Sequence, residues 1–172
     1  MGLIKWSYKL CHPGISEDKI PPQYKISLWT GIMKPIRKWL SAVFIPTIPF
    51  NSLRVGFYRL CGYKIGKGTF IGMRCYLDDL CYDKIMIGRN VTISYGVFFA
   101  CHGRKQGHNR IEIKDGAYIG MRCSIIASQD VIVGEKAIVG AHSLVNCSVE
   151  PGAIVGGVPA KPLHNKDDLL KE

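Results

Sequence analysis

From Ile65 onward an aliphatic residue recurs at every sixth position, usually followed by Gly and, four places on, by a small or β-branched residue. Ile65-Gly66 leads to Thr69, Ile71-Gly72 to Cys75, Ile87-Gly88 to Val91, and Ile93-Ser94 to Val97. After a break the series resumes with Ile113 and Ala117, Ile119 and Cys123, Val133 and Ala137, Val139 and Ser143, then closes at Val145 and Val155-Gly156. A short extended segment that turns a corner every sixth residue directs its aliphatic side chain into a narrow prism, and Gly permits tight backbone at the corner. Three such faces complete one coil, and stacked coils bury a continuous aliphatic column that no single coil could bury alone. The expected fold is therefore an all-β solenoid.

Breaks in the phase mark where chain leaves the prism. Ile87 and Ile113 are 26 residues apart, eight more than three hexads, and the surplus falls on the polar run 103–110. Ile113 and Val133 are 20 apart, an excess of two near Gln129-Asp130. A regular scaffold that extrudes one polar loop usually does so for function.

Residues 1–60 lack the repeat and read as a helical and extended cap region, with 61–163 as the solenoid and 164–172 as a tail. Between Leu28 and Phe44 the residues Trp29, Ile32, Met33, Ile36, Trp39, Leu40 and Val43 follow helical spacing, and Pro35 is expected to bend or divide that helix. Two roles suit it: covering the open end of the first coil, which solenoids require, or resting on an anionic membrane surface with Trp at headgroup depth.

The 23 Lys and Arg against 13 Asp and Glu give a net charge of +10, which favours anionic partners such as phosphorylated molecules or lipid. Nucleic acid is not expected, because no RNA-binding aromatic signature accompanies the charge. Gly66-Lys67-Gly68-Thr69 lacks the glycine order of a P-loop and is in phase with the hexads. Seven cysteines, none in a C-x-x-C pair, suit small buried thiols in a reducing compartment better than a disulfide framework. With no apolar leader and no stretch near the ~20 residues of a spanning helix, the expected location is cytoplasmic, either free or peripheral to the membrane.

His102 stands out among five histidines because it follows the strand-like Val97 to Cys101 and opens the long break, a placement suited to a general base. His108 lies deeper in the loop and His142 at a turn; with His102 they do not match a known ligand spacing, so no metal is expected. Asp78 and Asp79, one coil before His102, are candidates to orient the base or hold acceptor hydroxyls. Arg104 and Lys105 could contact an acidic acceptor, which makes Asp78 and Arg104 the candidate substrate contacts. Cys101 is not expected to be a nucleophile, since alternation along a strand points it away from its neighbour His102.

The hexads, with the ending Gly156-Gly157-Val158-Pro159-Ala160-Lys161 and the segment Phe98-Phe99-Ala100-Cys101-His102, resemble the hexapeptide-repeat acyltransferases, most of all the sugar and polysaccharide O-acetyltransferases. The resemblance covers about residues 61–163. It implies a left-handed parallel β-helix, a homotrimer, acetyl-CoA as donor, a hydroxyl-bearing carbohydrate as acceptor, and an active site between subunits. It makes His102 the base, Gly120, Met121, Gly140, Ala141, Asn146 and Cys147 the lining for the pantetheine arm, and Lys161 a CoA phosphate contact. Gly103-Arg104 and His142 depart from the family pattern, so the acceptor stays open. The alternatives are a xenobiotic or serine-type acetyltransferase, a γ-type carbonic anhydrase, and a non-catalytic β-helix.

Overall fold

The computed structural model describes residues 3–16, 19, 28–102 and 108–164. Contacts divide the chain into two units, Met1–Trp39 and Leu40–Glu172. In the first, α1 (Leu3–Cys11) and α2 (Leu28–Trp39) are helical, and α2 continues through Pro35 instead of dividing there. Trp6, Leu10, Met33, Ile36 and Trp39 are exposed.

In the second unit, residues 40–60, expected within a cap spanning 1–60, pack with the solenoid, and they are what closes the first coil. A π-helical turn (Leu40–Phe44) and a 3-10 turn (Ile45–Thr47) lead into α3 (Asn51–Leu60). The carbonyls and amides at the open end of a coil need partners, and α3 supplies them. Asn51 accepts from Ile71 N and donates to Thr69 O; Arg54, fully buried, donates to Ile48 O and Ile71 O; Tyr58 Oη donates to Cys75 O.

Above this floor the chain coils. The first coil holds β1 (Lys64–Ile65), β2 (Phe70–Ile71) and β3 (Tyr76–Leu77); the second β4 (Ile85–Ile87), β5 (Thr92–Ile93) and β6 (Phe98–Ala100). The third holds β7 (Ile111–Ile113), β8 (Tyr118–Ile119) and β9 (Ser124–Ile126), and the fourth β10 (Val131–Val133), β11 (Ile138–Val139) and β12 (Leu144–Val145). β13 (Ile154–Gly156) begins a fifth, and β14 (Lys161–His164) folds back on it antiparallel. Every other pairing is parallel, and three sheets result, β1-β4-β7-β10, β2-β5-β8-β11-β13 with β14 at its edge, and β3-β6-β9-β12. The hexad aliphatics stack in register, Ile71 on Ile93 on Ile119 on Val139 on Val155, all buried.

Burying one such side chain is worth about 1.5–3 kcal/mol, while ordering each residue's backbone costs about 1–2 kcal/mol. A lone coil with a handful of inward aliphatics therefore cannot stand, and the coils form together. At the corners five non-glycine residues, Arg74, Asn90, Arg122, Lys136 and His142, hold φ between 53° and 58° in the place that Gly68, Gly96, Gly116 and Gly152 occupy elsewhere. His142 is thus an exposed turn residue.

Candidate active site

The third corner of each coil, joining the β3-β6-β9-β12 sheet back to the first sheet, is where the hexads fail. In the first coil that corner is a 3-10 turn, Asp79–Cys81, capped by Asp78, whose Oδ1 accepts from Leu80 N. In the second coil it is the segment leaving β6 at Cys101, with residues 103–107 outside the described set. Stacking of β3 on β6 brings the two corners together. The Asp78 carboxylate is fully buried, and its Oδ2 accepts from Cys101 N and from His102 Nδ1, each at 2.9 Å. The imidazole itself is 44% exposed.

That geometry sets the tautomer. With Nδ1–H directed at a buried carboxylate, Nε2 is left with the free lone pair, the arrangement a general base requires. Asp78 is fully buried and in contact with the His102 ring, a placement that suits orienting the ring better than touching a substrate. Asp79 is also buried and accepts from Tyr76 Oη, so it is a structural residue of the corner rather than an exposed one. His102 and His108 pair as an antiparallel bridge at the neck of the excursion. Asn109 pins that neck, donating N–H to Cys101 O and its amide to Ala127 O.

Cys101 is buried, and burial, the neighbouring Cys81 thiol and Asp78 push its pKa up; Cys81 is pushed to about 11, chiefly by burial. Both shifts disfavour the thiolate near neutrality, the form a nucleophilic cysteine needs.

The other expected residues fall apart into separate places. Gly120, Met121, Gly140 and Ala141 occupy the second corner of the third and fourth coils. The amides of Gly120 and Gly140 donate to Val139 O and Val155 O, so the solenoid itself uses those groups. A Cβ on Gly120 would stand 2.6 Å from Ala141 N, which explains that glycine by stacking alone. Asn146 and Cys147 sit exposed at the third corner of the fourth coil, and Lys161 is exposed on β14 opposite Gly156. His142, at the second corner, does not join His102 and His108. Arg104 and Lys105 lie outside the described residues. Of the grooves among the described residues, one of about 530 Å³ runs along the first sheet past Lys64, Met86, Glu112 and Lys114 and does not reach His102.

Cys81 and Asn109 join this corner without any pattern in the sequence that marks them. The signal for the Asp78 corner was present: Ile65 and Ile87 are 22 residues apart, four more than three hexads.

No family model matches the chain. By sequence it is 26% identical over 161 residues to "Putative acetyltransferase YvoF" of Bacillus subtilis, covering 88% of this chain and 92% of that protein. To the serine acetyltransferase of Bacillus subtilis it is 32% identical over 104 residues, 58% of this chain and 47% of that one. By structure it matches a hexapeptide-repeat acetyltransferase from Vibrio cholerae with a TM-score of 0.66 at 25% identity, over 81% of this chain and 93% of that one. These relatives are hexapeptide-repeat acetyltransferases, and the chain is similar to them in both sequence and fold. The superfamily's left-handed parallel β-helix is the fold described above. That Vibrio cholerae protein has also been solved with acetyl coenzyme A.

Proposed function

We propose that this acyltransferase moves the acetyl group of acetyl-CoA to a hydroxyl of a sugar or surface-polysaccharide precursor, in one step within a ternary complex. The observation that carries this reading is the 2.9 Å contact from His102 Nδ1 to the buried Asp78 carboxylate. An unionised hydroxyl is a poor nucleophile, and a fixed imidazole removes its proton as the oxygen attacks the thioester carbonyl, typically a ~10²–10⁴-fold effect. His102 Nε2 takes that proton; the resulting imidazolium is stabilised across Nδ1 by Asp78. Collapse of the tetrahedral adduct expels the CoA thiolate, which recovers the proton. The acyl group never rests on the protein, in keeping with the un-ionised Cys101.

A homotrimer gives this reading its missing wall. The dyad faces outward beside an open corner, and a neighbouring subunit would close it into a cleft. Gly120, Met121, Gly140, Ala141, Asn146, Cys147 and Lys161 then serve the CoA of one or the other subunit interface, with Lys161 on a phosphate and Arg104 toward the acceptor. The protein acts in the cytoplasm at the membrane face. No helix of the described residues is long and apolar enough to cross a membrane. Residues 1–39 carry seven Lys and Arg against two acidic residues, and Trp6 and Trp39 are exposed, the make-up of an interfacial segment.

Steady-state acetyl transfer tests the reading. His102→Ala should lower kcat at least ~100-fold with oligomeric state and acetyl-CoA affinity intact; near wild-type turnover removes the base. Serine is the second acceptor to assay, because of the serine acetyltransferase relative, and preference for it over sugars would reassign the acceptor. Sedimentation with anionic vesicles, lost on deleting residues 1–39, tests the membrane contact.

A further inference from the structure

Behind the imidazole lies a cluster of side chains of which the transfer uses Asp78 alone. Asp78, Cys81 and Cys101 are all buried, and their donor atoms lie within 4.8 Å of one another. From the exposed side His108 brings its Nδ1 to 2.8 Å from Cys81 Sγ. We propose that Cys81, Cys101 and His108, with the Asp78 carboxylate as fourth ligand, bind one zinc-class divalent cation per chain.

The donor set favours such an ion. Two thiols and an imidazole suit a borderline-soft cation, and a carboxylate completes four-coordination. Bond lengths of about 2.3 Å to sulfur and about 2.0–2.2 Å to nitrogen or oxygen put the ligand atoms of a tetrahedral site roughly 3.3–3.8 Å apart. The three buried donors lie within 4.8 Å of one another and His108 Nδ1 touches Cys81 Sγ, so an ion is seated by side-chain rotations that draw His108 in beside them. Asp78 keeps capacity for it: Oδ2 is engaged by Cys101 N and His102, while Oδ1 accepts Leu80 N alone and has a second lone pair. His108, exposed at the neck, gives the entry path.

Binding converts a chain of thiol hydrogen bonds, Cys101 to Cys81 to His108, into metal bonds. Two thiol protons leave to solvent as two sulfur–metal bonds form. The competing reading is that these are plain core thiols. An ion here would clamp the Asp78 turn to the far side of the loop neck. The site stands whether or not the chain acetylates sugars, and its test does not use activity.

Protein stripped with a chelator under a thiol-free reductant is titrated with cobalt(II), then with zinc. One equivalent of cobalt should produce tetrahedral visible bands and a near-ultraviolet thiolate charge-transfer band, and zinc should abolish both. Zinc should also raise the thermal midpoint. Cys81→Ser should weaken the charge-transfer band and lower affinity on the order of tenfold or more, and lose the zinc-induced rise. His108→Asn, at an exposed position that leaves folding intact, should weaken binding similarly, whereas His142→Asn should not. Absence of a charge-transfer band in the wild type, or bands undiminished in both Cys81→Ser and His108→Asn, overturns the site.

Discussion

In the proposed mechanism Asp78 and His102 act as one functional unit built from two unlike side chains. The carboxylate holds the imidazole in one tautomer, so changing it alters chemistry without touching the ring. Asp78→Asn keeps the shape yet offers an amide where an anion was, and kcat should fall on the order of 10²-fold or more with the KM for acetyl-CoA little changed. An equal fall in kcat and in acetyl-CoA binding would make Asp78 a general structural residue instead. Arg54 shows the same dependence at the floor of the solenoid. Its buried guanidinium donates to Ile48 O and Ile71 O, so Arg54→Met strands one buried and one part-buried carbonyl. The expected cost is about 2–4 kcal/mol of unfolding free energy, read from denaturant midpoints. His102 could be picked out by its place at the phase break. Its partner could not be told apart from Asp79, because both lie in one turn, and only the path of the 3-10 corner decides which carboxylate faces the ring.

At the scale of the coil and its corners, backbone sterics decide which residues fit. A Cβ on Gly66 would fall 2.4 Å from the carbon and oxygen of Gly88 in the next coil, where nothing flexible can yield. Gly66→Ala should therefore destabilise by about 2–3 kcal/mol, seen as a lower thermal midpoint. The reverse holds where a side chain sits in the left-handed region. His142 has φ 58° and is exposed, so His142→Gly should relieve about 1 kcal/mol of strain, offset in part by glycine's entropy. A net gain in thermal stability is the expected result, and a loss would assign His142 a contact in an assembled oligomer. The hexad pattern made the strands legible because each buries one aliphatic of known phase. Residues 40–60 were less legible: the cap that closes the first coil works through Asn51, Arg54 and Tyr58, polar side chains whose partners are backbone groups of Ile48, Thr69, Ile71 and Cys75 and leave no periodic trace.

For the molecule as a whole, the buried acidic hydrogens set its limit in alkali. Cys81 is raised to about 11 and Tyr76 to about 12, each chiefly by burial, and Tyr58, Tyr63, Cys75, Cys101 and Cys123 are raised as well. In the unfolded chain thiols ionise near 8.5 and phenols near 10, while the folded chain keeps those protons. The folded state then binds more protons than the unfolded one, so stability falls as pH rises. Stability should be level below about pH 8 and decline from about pH 9 through 12, measured as denaturant midpoints under reductant; a flat profile across that window would contradict the burial of these groups. The sequence alone determined the solenoid and the place where it opens, because aliphatics at six-residue spacing share a dry interior when three-faced coils stack. Only the tertiary structure decided what meets at that opening. Asp78, Cys81, Cys101 and His108 are 3 to 30 positions apart along the chain, and it is the stacking of one irregular corner on the next that makes them neighbours.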